Sequence, residues 1–153
     1  MGFMDKLKGA VKAVTGGSAK VEMDYPTEAW QPGQSMQIRI TITSTVGDMK
    51  TKGVFVDVRA EEVVNIDKKA SQQLEESLRL SRDTFTHTFQ IAPEFVLGGG
   101  ETQTFEGEIA LPENVQPSYN GKFTQHKWSI RGRLDVRGND PDTGFKPLRV
   151  GLR

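Results

Sequence analysis

Residues 104–136 alternate apolar and polar side chains with a period of two, and only an extended strand turns that pattern into one buried face and one wet face. In the first run, Phe105, Gly107, Ile109 and Leu111 share a face, with Glu106, Glu108 and Ala110 on the other. In the second, His126, Trp128, Ile130, Gly132, Leu134 and Val136 share a face, opposite Lys127, Ser129, Arg131, Arg133, Asp135 and Arg137. Between the runs, Pro112 and Pro117 remove backbone donors and fix φ, so the connection is neither a central strand nor a helix interior. Asn120-Gly121 supplies a turn just before the second run.

The same rhythm recurs upstream. Met36, Ile38, Ile40 and Ile42 alternate with Gln37, Arg39, Thr41 and Thr43, and Val21 with Met23 marks a shorter strand over 19–25. Val54, Val56, Val58 and Ala60 oppose Phe55, Asp57, Arg59 and Glu61, so the outer side that carries Phe55 is expected to be partly covered. Residues 46–52 read as a Gly-containing connection. Phe85, His87, Phe89 and Ile91 alternate with Thr84, Thr86, Thr88 and Gln90 until Pro93, and Pro147 gives the last short strand, over 145–152, an edge or bulged position. Residues 67–81 break the rhythm, lack Gly and Pro, and predict a short polar helix or excursion. Many short strands with regular turns predict an all-β, antiparallel, immunoglobulin-like β-sandwich. An apolar content of 35% suits strands with one wet face.

Residues 1–14 differ. Phe3, Leu7, Val11 and Val14 repeat at the spacing of one helix face, and Lys6, Lys8 and Lys12 stand against Asp5. Gly16-Gly17-Ser18 then predicts a hinge. The expected division is an amphipathic helix with its glycine hinge over 1–17 and a sandwich over 18–153. So short a helix needs a surface. A membrane and a protein surface, its own or another subunit's, both suit Phe3, Lys6, Leu7, Lys8, Val11, Lys12 and Val14.

The strand ending Leu111-Pro112, the run Glu113-Asn114-Val115-Gln116-Pro117-Ser118-Tyr119, and the alternating strand ending Leu134-Asp135 together resemble an arrestin-like lobe. The nearest resemblance is to bacterial arrestin-like proteins of the sporulation-control family. It extends, through strand order, over roughly residues 19–152. Members of that family carry two such lobes, and the resemblance here spans one. It implies an arrestin-like fold and a non-catalytic, protein-binding role.

The totals narrow the function. The 153 residues suit one sandwich domain, and a formal net charge of zero gives no overall pull towards nucleic acid. There is no cysteine, hence no disulfide and no thiolate metal site, and no apolar run reaches membrane-spanning length. The expected setting is cytoplasmic, with peripheral membrane contact through the N-terminal segment. No nucleophile elbow, zinc-helix motif or cysteine nucleophile is present. Gly98-Gly99-Gly100 is a turn rather than a phosphate cradle, because no Lys-Ser or Lys-Thr follows. His87 and His126 fall on apolar faces and are expected to be partly buried; with Asp83 or a glutamate they lack zinc-ligand spacing, so no metal or cofactor is assigned. Glu106 and Glu108 read as an exposed strand face rather than an acid–base pair.

Positive charge gathers at the C-terminal end, where eight Lys or Arg from Lys122 onward outnumber three Asp. Lys127, Arg131, Arg133 and Arg137 share one strand face and form the candidate site for an anion or a partner. Arginine forks suit carboxylate and phosphate, whereas carboxylates supplied by neighbouring strands would neutralise the same face. The expected function is a non-catalytic adaptor that engages a protein through sandwich edges or this basic face. The alternative is a self-assembling homo-oligomer.

Overall fold

In the computed structural model, the described residues are 11–15 as backbone, 18–69, 75–138 and 140–151. They form ten strands: β1 (Val11–Thr15), β2 (Ala19–Tyr25), β3 (Ser35–Ser44), β4 (Met49–Ile66), β5 (Leu78–Ala92), β6 (Phe95–Leu97), β7 (Thr102–Ala110), β8 (Tyr119–Asn120), β9 (Thr124–Val136) and β10 (Lys146–Leu148). One sheet has the order β1-β2-β3-β7; the other has β10-β9-β4-β5, with β6 beside β4 and β8 beside β9. Every strand pairing is antiparallel. The expected sandwich is what forms, and no helix occurs among the described residues.

The core lies where the apolar faces of the two sheets meet. Val21 and Met23 of β2, Ile38, Ile40 and Ile42 of β3, and Val54, Val56, Val58 and Ala60 of β4 are all buried there, as are Trp128, Ile130 and Leu134 of β9. The sheets approach closely at Gly132, where an added Cβ would lie 3.3 Å from Met23 Sδ and 3.4 Å from Ile40 Cδ1. At one margin, the Tyr25 hydroxyl donates to the Pro147 carbonyl at 2.7 Å and ties β2 to β10. Pro147 sits on that edge strand, as expected.

Three local expectations need correction. The helix over 1–14 does not extend through its last turn: 11–15 is strand β1, which pairs with β2 from Val11↔Tyr25 to Thr15↔Val21. β-Branched Val11, Val14 and Thr15 suit an extended chain, and β2 offers an open ladder for them to join. Val11, Lys12 and Val14 are therefore strand residues, while Phe3, Lys6, Leu7 and Lys8 lie outside the described residues. The helix or excursion expected over 67–81 ends sooner, because Leu78 opens β5 and pairs with Ile66 across a long hairpin; the described residues 67–69 and 75–77 are turn and coil, not helix. There the i,i+4 spacing of Leu74 and Leu78 masked the alternation Leu78-Arg79-Leu80; residues 70–74 lie outside the described set. Lastly, β4 begins at Met49 inside the expected connection over 46–52, and Met49 and Thr51 are buried.

Candidate binding face of the six-stranded sheet

The outer face of the larger sheet is built by alternate residues of β4, β5 and β9. The ladder sets Asp57 opposite Arg131 on one side and Thr88 on the other, so one row crosses three strands. Asp57 Oδ1 accepts the Thr88 hydroxyl at 2.7 Å. Its Oδ2 accepts Arg131 Nε and Nη2 at 3.0 and 2.7 Å, and Arg133 Nε at 2.9 Å. Arg133 also reaches Asp140 Oδ2 at 3.3 Å and lies 4.8 Å above the Phe55 ring. That stacking is the cover expected over Phe55.

Burial pulls the Asp57 carboxyl upward, but hydrogen bonds from Thr88, Arg131 and Arg133, with the Arg133 charge, outweigh it and hold Asp57 below the ordinary carboxylate value. Two guanidiniums and two carboxylates, Asp57 and Asp140, then leave this part of the face without net charge. Arg131 and Arg133 are committed inside the sheet. Nearby, Arg59 donates to Asp83 at 2.9 Å and to Glu61 at 2.6 Å.

The four cations expected to act together therefore separate. Lys127 is exposed, faces Glu61 in the ladder and makes no ion pair among the described residues, since Arg59 holds Glu61. Arg137 is exposed but lies one residue past the end of β9, off the strand face that carries the others. Lys127 has other company. A groove of about 420 Å³ opens along β10, lined by Arg59, Glu61, Lys127, Phe145, Lys146 and Arg149 among others. Its wall includes the Phe145 ring, half-exposed beneath Arg131 at 4.6 Å, and Pro147 and Leu148. Like Lys127, Lys146 and Arg149 make no ion pair among the described residues. The alternation of β9 pointed to Lys127 alone; Phe145, Lys146 and Arg149 join it only because β10 folds back beside Trp128, Ser129 and Ile130.

The histidines have different fates. His126 is buried, with Nδ1 2.8 Å from the Pro117 carbonyl and Nε2 2.7 Å from the Thr84 hydroxyl. Beside it, Trp128 Nε1 donates to the Gln116 carbonyl at 2.9 Å. Together they clamp the proline-punctuated connection across the end of the sandwich. His87 is exposed, contrary to expectation, because β5 is the last strand on its side of the sheet and the smaller sheet does not cover it there. Among the described residues, no group of His, Cys, Asp or Glu is arranged to hold a metal ion.

Comparison with known proteins agrees with this architecture. A family model described as SpoOM protein matches residues 7–144. The crystal structure of Spo0M, sporulation control protein, from Bacillus subtilis is similar, with a TM-score of 0.63 at 21% identity. The match covers 90% of this chain and 51% of that one, so the chain spans about half the length of the structure it resembles. No curated protein matches the chain.

Proposed function

This chain belongs to the SpoOM protein family, and from that premise we propose that it is a non-catalytic regulatory adaptor that binds a protein partner on the outer face of its larger sheet. The observation that carries the reading is the β10 groove, where an apolar wall is edged by three cations that make no ion pair among the described residues. Such a site suits an acidic segment with an apolar anchor, since the wall rewards burial while lysine and arginine attract carboxylates. Arg131 and Arg133, already neutralised by Asp57 and Asp140, hold the platform rigid. The relative of known structure is described as a sporulation control protein, and control without chemistry is exercised by binding. A cytoplasmic setting and peripheral membrane contact through the N-terminal segment belong to the same reading and rest on sequence alone.

Affinity enrichment with two baits tests it, one wild type and one carrying Lys127→Glu and Arg149→Glu. A partner held by the first and lost by the second supports the groove. Equal recovery by two equally stable baits removes it.

A further inference from the structure

β4 and β5 are long, at 18 and 15 residues, and their far ends form an arm that β9 flanks only as far as the pair Val64↔Thr124. The last rungs on one face are Glu62↔Arg82, Val64↔Leu80 and Ile66↔Leu78. By strand parity that face continues the one on which Val54, Val56, Val58 and Ala60 are buried in the core. A register shift between Ala60 and Glu61 leaves Thr84 as the extra residue on β5. Without that bulge Ser81 and Arg79 would turn to the core side; with it, Leu80 and Leu78 do. Yet no layer covers them: Leu80 is 59% exposed and Leu78 38%. A lone exposed leucine needs no explanation, but four apolar side chains paired across a ladder on a core-side face make a contact surface.

We propose that a second copy of this chain covers that face, each arm lying antiparallel across the other about a two-fold axis that crosses the strands at the Asn65–Arg79 rung. A two-fold along the strands would drive the two smaller sheets into the same space, whereas an axis across them sends the two sandwiches to opposite ends. The crossing axis lays β4 on β4 and β5 on β5, with each arm's base against the other's tip. Glu62 at the base then meets Lys68 and Lys69, which follow β4, and Arg82 meets Glu75 and Glu76, which precede β5. Within one chain, Glu62 and Arg82 make no ion pair among the described residues although they face each other in the ladder. Both signs therefore stand beside one apolar patch, the requirement of a self-complementary two-fold contact. Charge disfavours a bilayer as the occupant, because Lys68, Lys69 and Arg79 are balanced by Asp67, Glu75 and Glu76 around the tip. The patch is small beside the roughly 800 Å² per partner of a stable interface, so the dimer is weak and concentration-dependent. This contact is separate from the β10 groove, and either stands without the other.

Sedimentation of the full chain over a wide concentration range tests it. Wild type shifts from monomer towards dimer as concentration rises, and Leu80→Glu stays monomeric with an unchanged melting temperature. Arg82→Glu weakens the dimer by about tenfold, and adding Glu75→Arg with Glu76→Arg restores it. The proposal is overturned by a wild-type chain that stays monomeric throughout, by a dimer indifferent to Leu80→Glu, or by charge reversal that no second reversal rescues. It also fails if Leu80→Glu abolishes binding to phosphatidylserine vesicles while wild type alone never dimerises.

Discussion

Asp57 and Arg131 stand directly opposite each other on β4 and β9, joined by two N–H···O contacts of 3.0 and 2.7 Å to a single carboxylate oxygen. The same oxygen serves Arg133, so one acid on a central strand organises the cations of the outer face. Its removal strands two partly buried guanidiniums. Asp57→Ala is expected to lower the unfolding free energy by about 2 kcal/mol, less than the 3–5 of a fully buried pair because Arg131 and Arg133 retain some solvent. Lys127→Ala, with no ion pair to lose among the described residues, is expected to stay within about 0.5 kcal/mol. Urea denaturation of the two variants checks both.

Acid titration reads the same network. Asp57 is held below its ordinary value of 3.8, so the unfolded chain takes up its proton first as pH falls. The stability it contributes is complete above that value and is lost as pH drops through the lower, folded one. Asp57→Asn is expected to flatten the acid limb of a stability–pH curve below about pH 4. An unchanged slope would mean that Asp57 is not held in its charged form.

At one margin a phenol bridges the two sheets. Tyr25→Phe deletes the donor to the Pro147 carbonyl and is expected to cost about 1 kcal/mol, measured by thermal melting. Burial raises the Tyr25 hydroxyl above its ordinary 10.0, so the unfolded chain ionises first as pH rises. The stability present below that value is lost above it, and the Phe variant lacks this alkaline loss.

Gly132 marks a close approach of the sheets. With Met23 and Ile40 already 3.3–3.4 Å from the site of a Cβ, Gly132→Leu forces core side chains off their rotamers. A loss of about 1–3 kcal/mol is expected, seen as a lower urea midpoint.

Period-two alternation made the inward residues of β3, β4 and β9 legible, because burial on one face is a local signal that each strand writes for itself. Ladder partners are not written locally. Asp57 reads as an ordinary outward acid until β9 lies beside β4, and only then do Arg131 and Arg133 become structural while Lys127 remains available. Phe145, Lys146 and Arg149 were invisible as site residues for the same reason. At residues 11–15 helical spacing and β-branched side chains point to different structures, and the edge of β2 decides between them. The exposure of His87 depends on β5 being last in its sheet, which alternation within β5 does not reveal.

The groove is tested most directly by NMR titration of the full chain with a short acidic peptide carrying one central leucine. Shift changes are expected to cluster on Lys127, Ser129, Phe145, Lys146 and Arg149 and to vanish in the Lys127→Glu, Arg149→Glu variant, with the Asp57 neighbourhood unmoved. Shifts centred instead on Arg131 and Arg133, or none at peptide concentrations that saturate ordinary acidic-segment sites, would contradict the account.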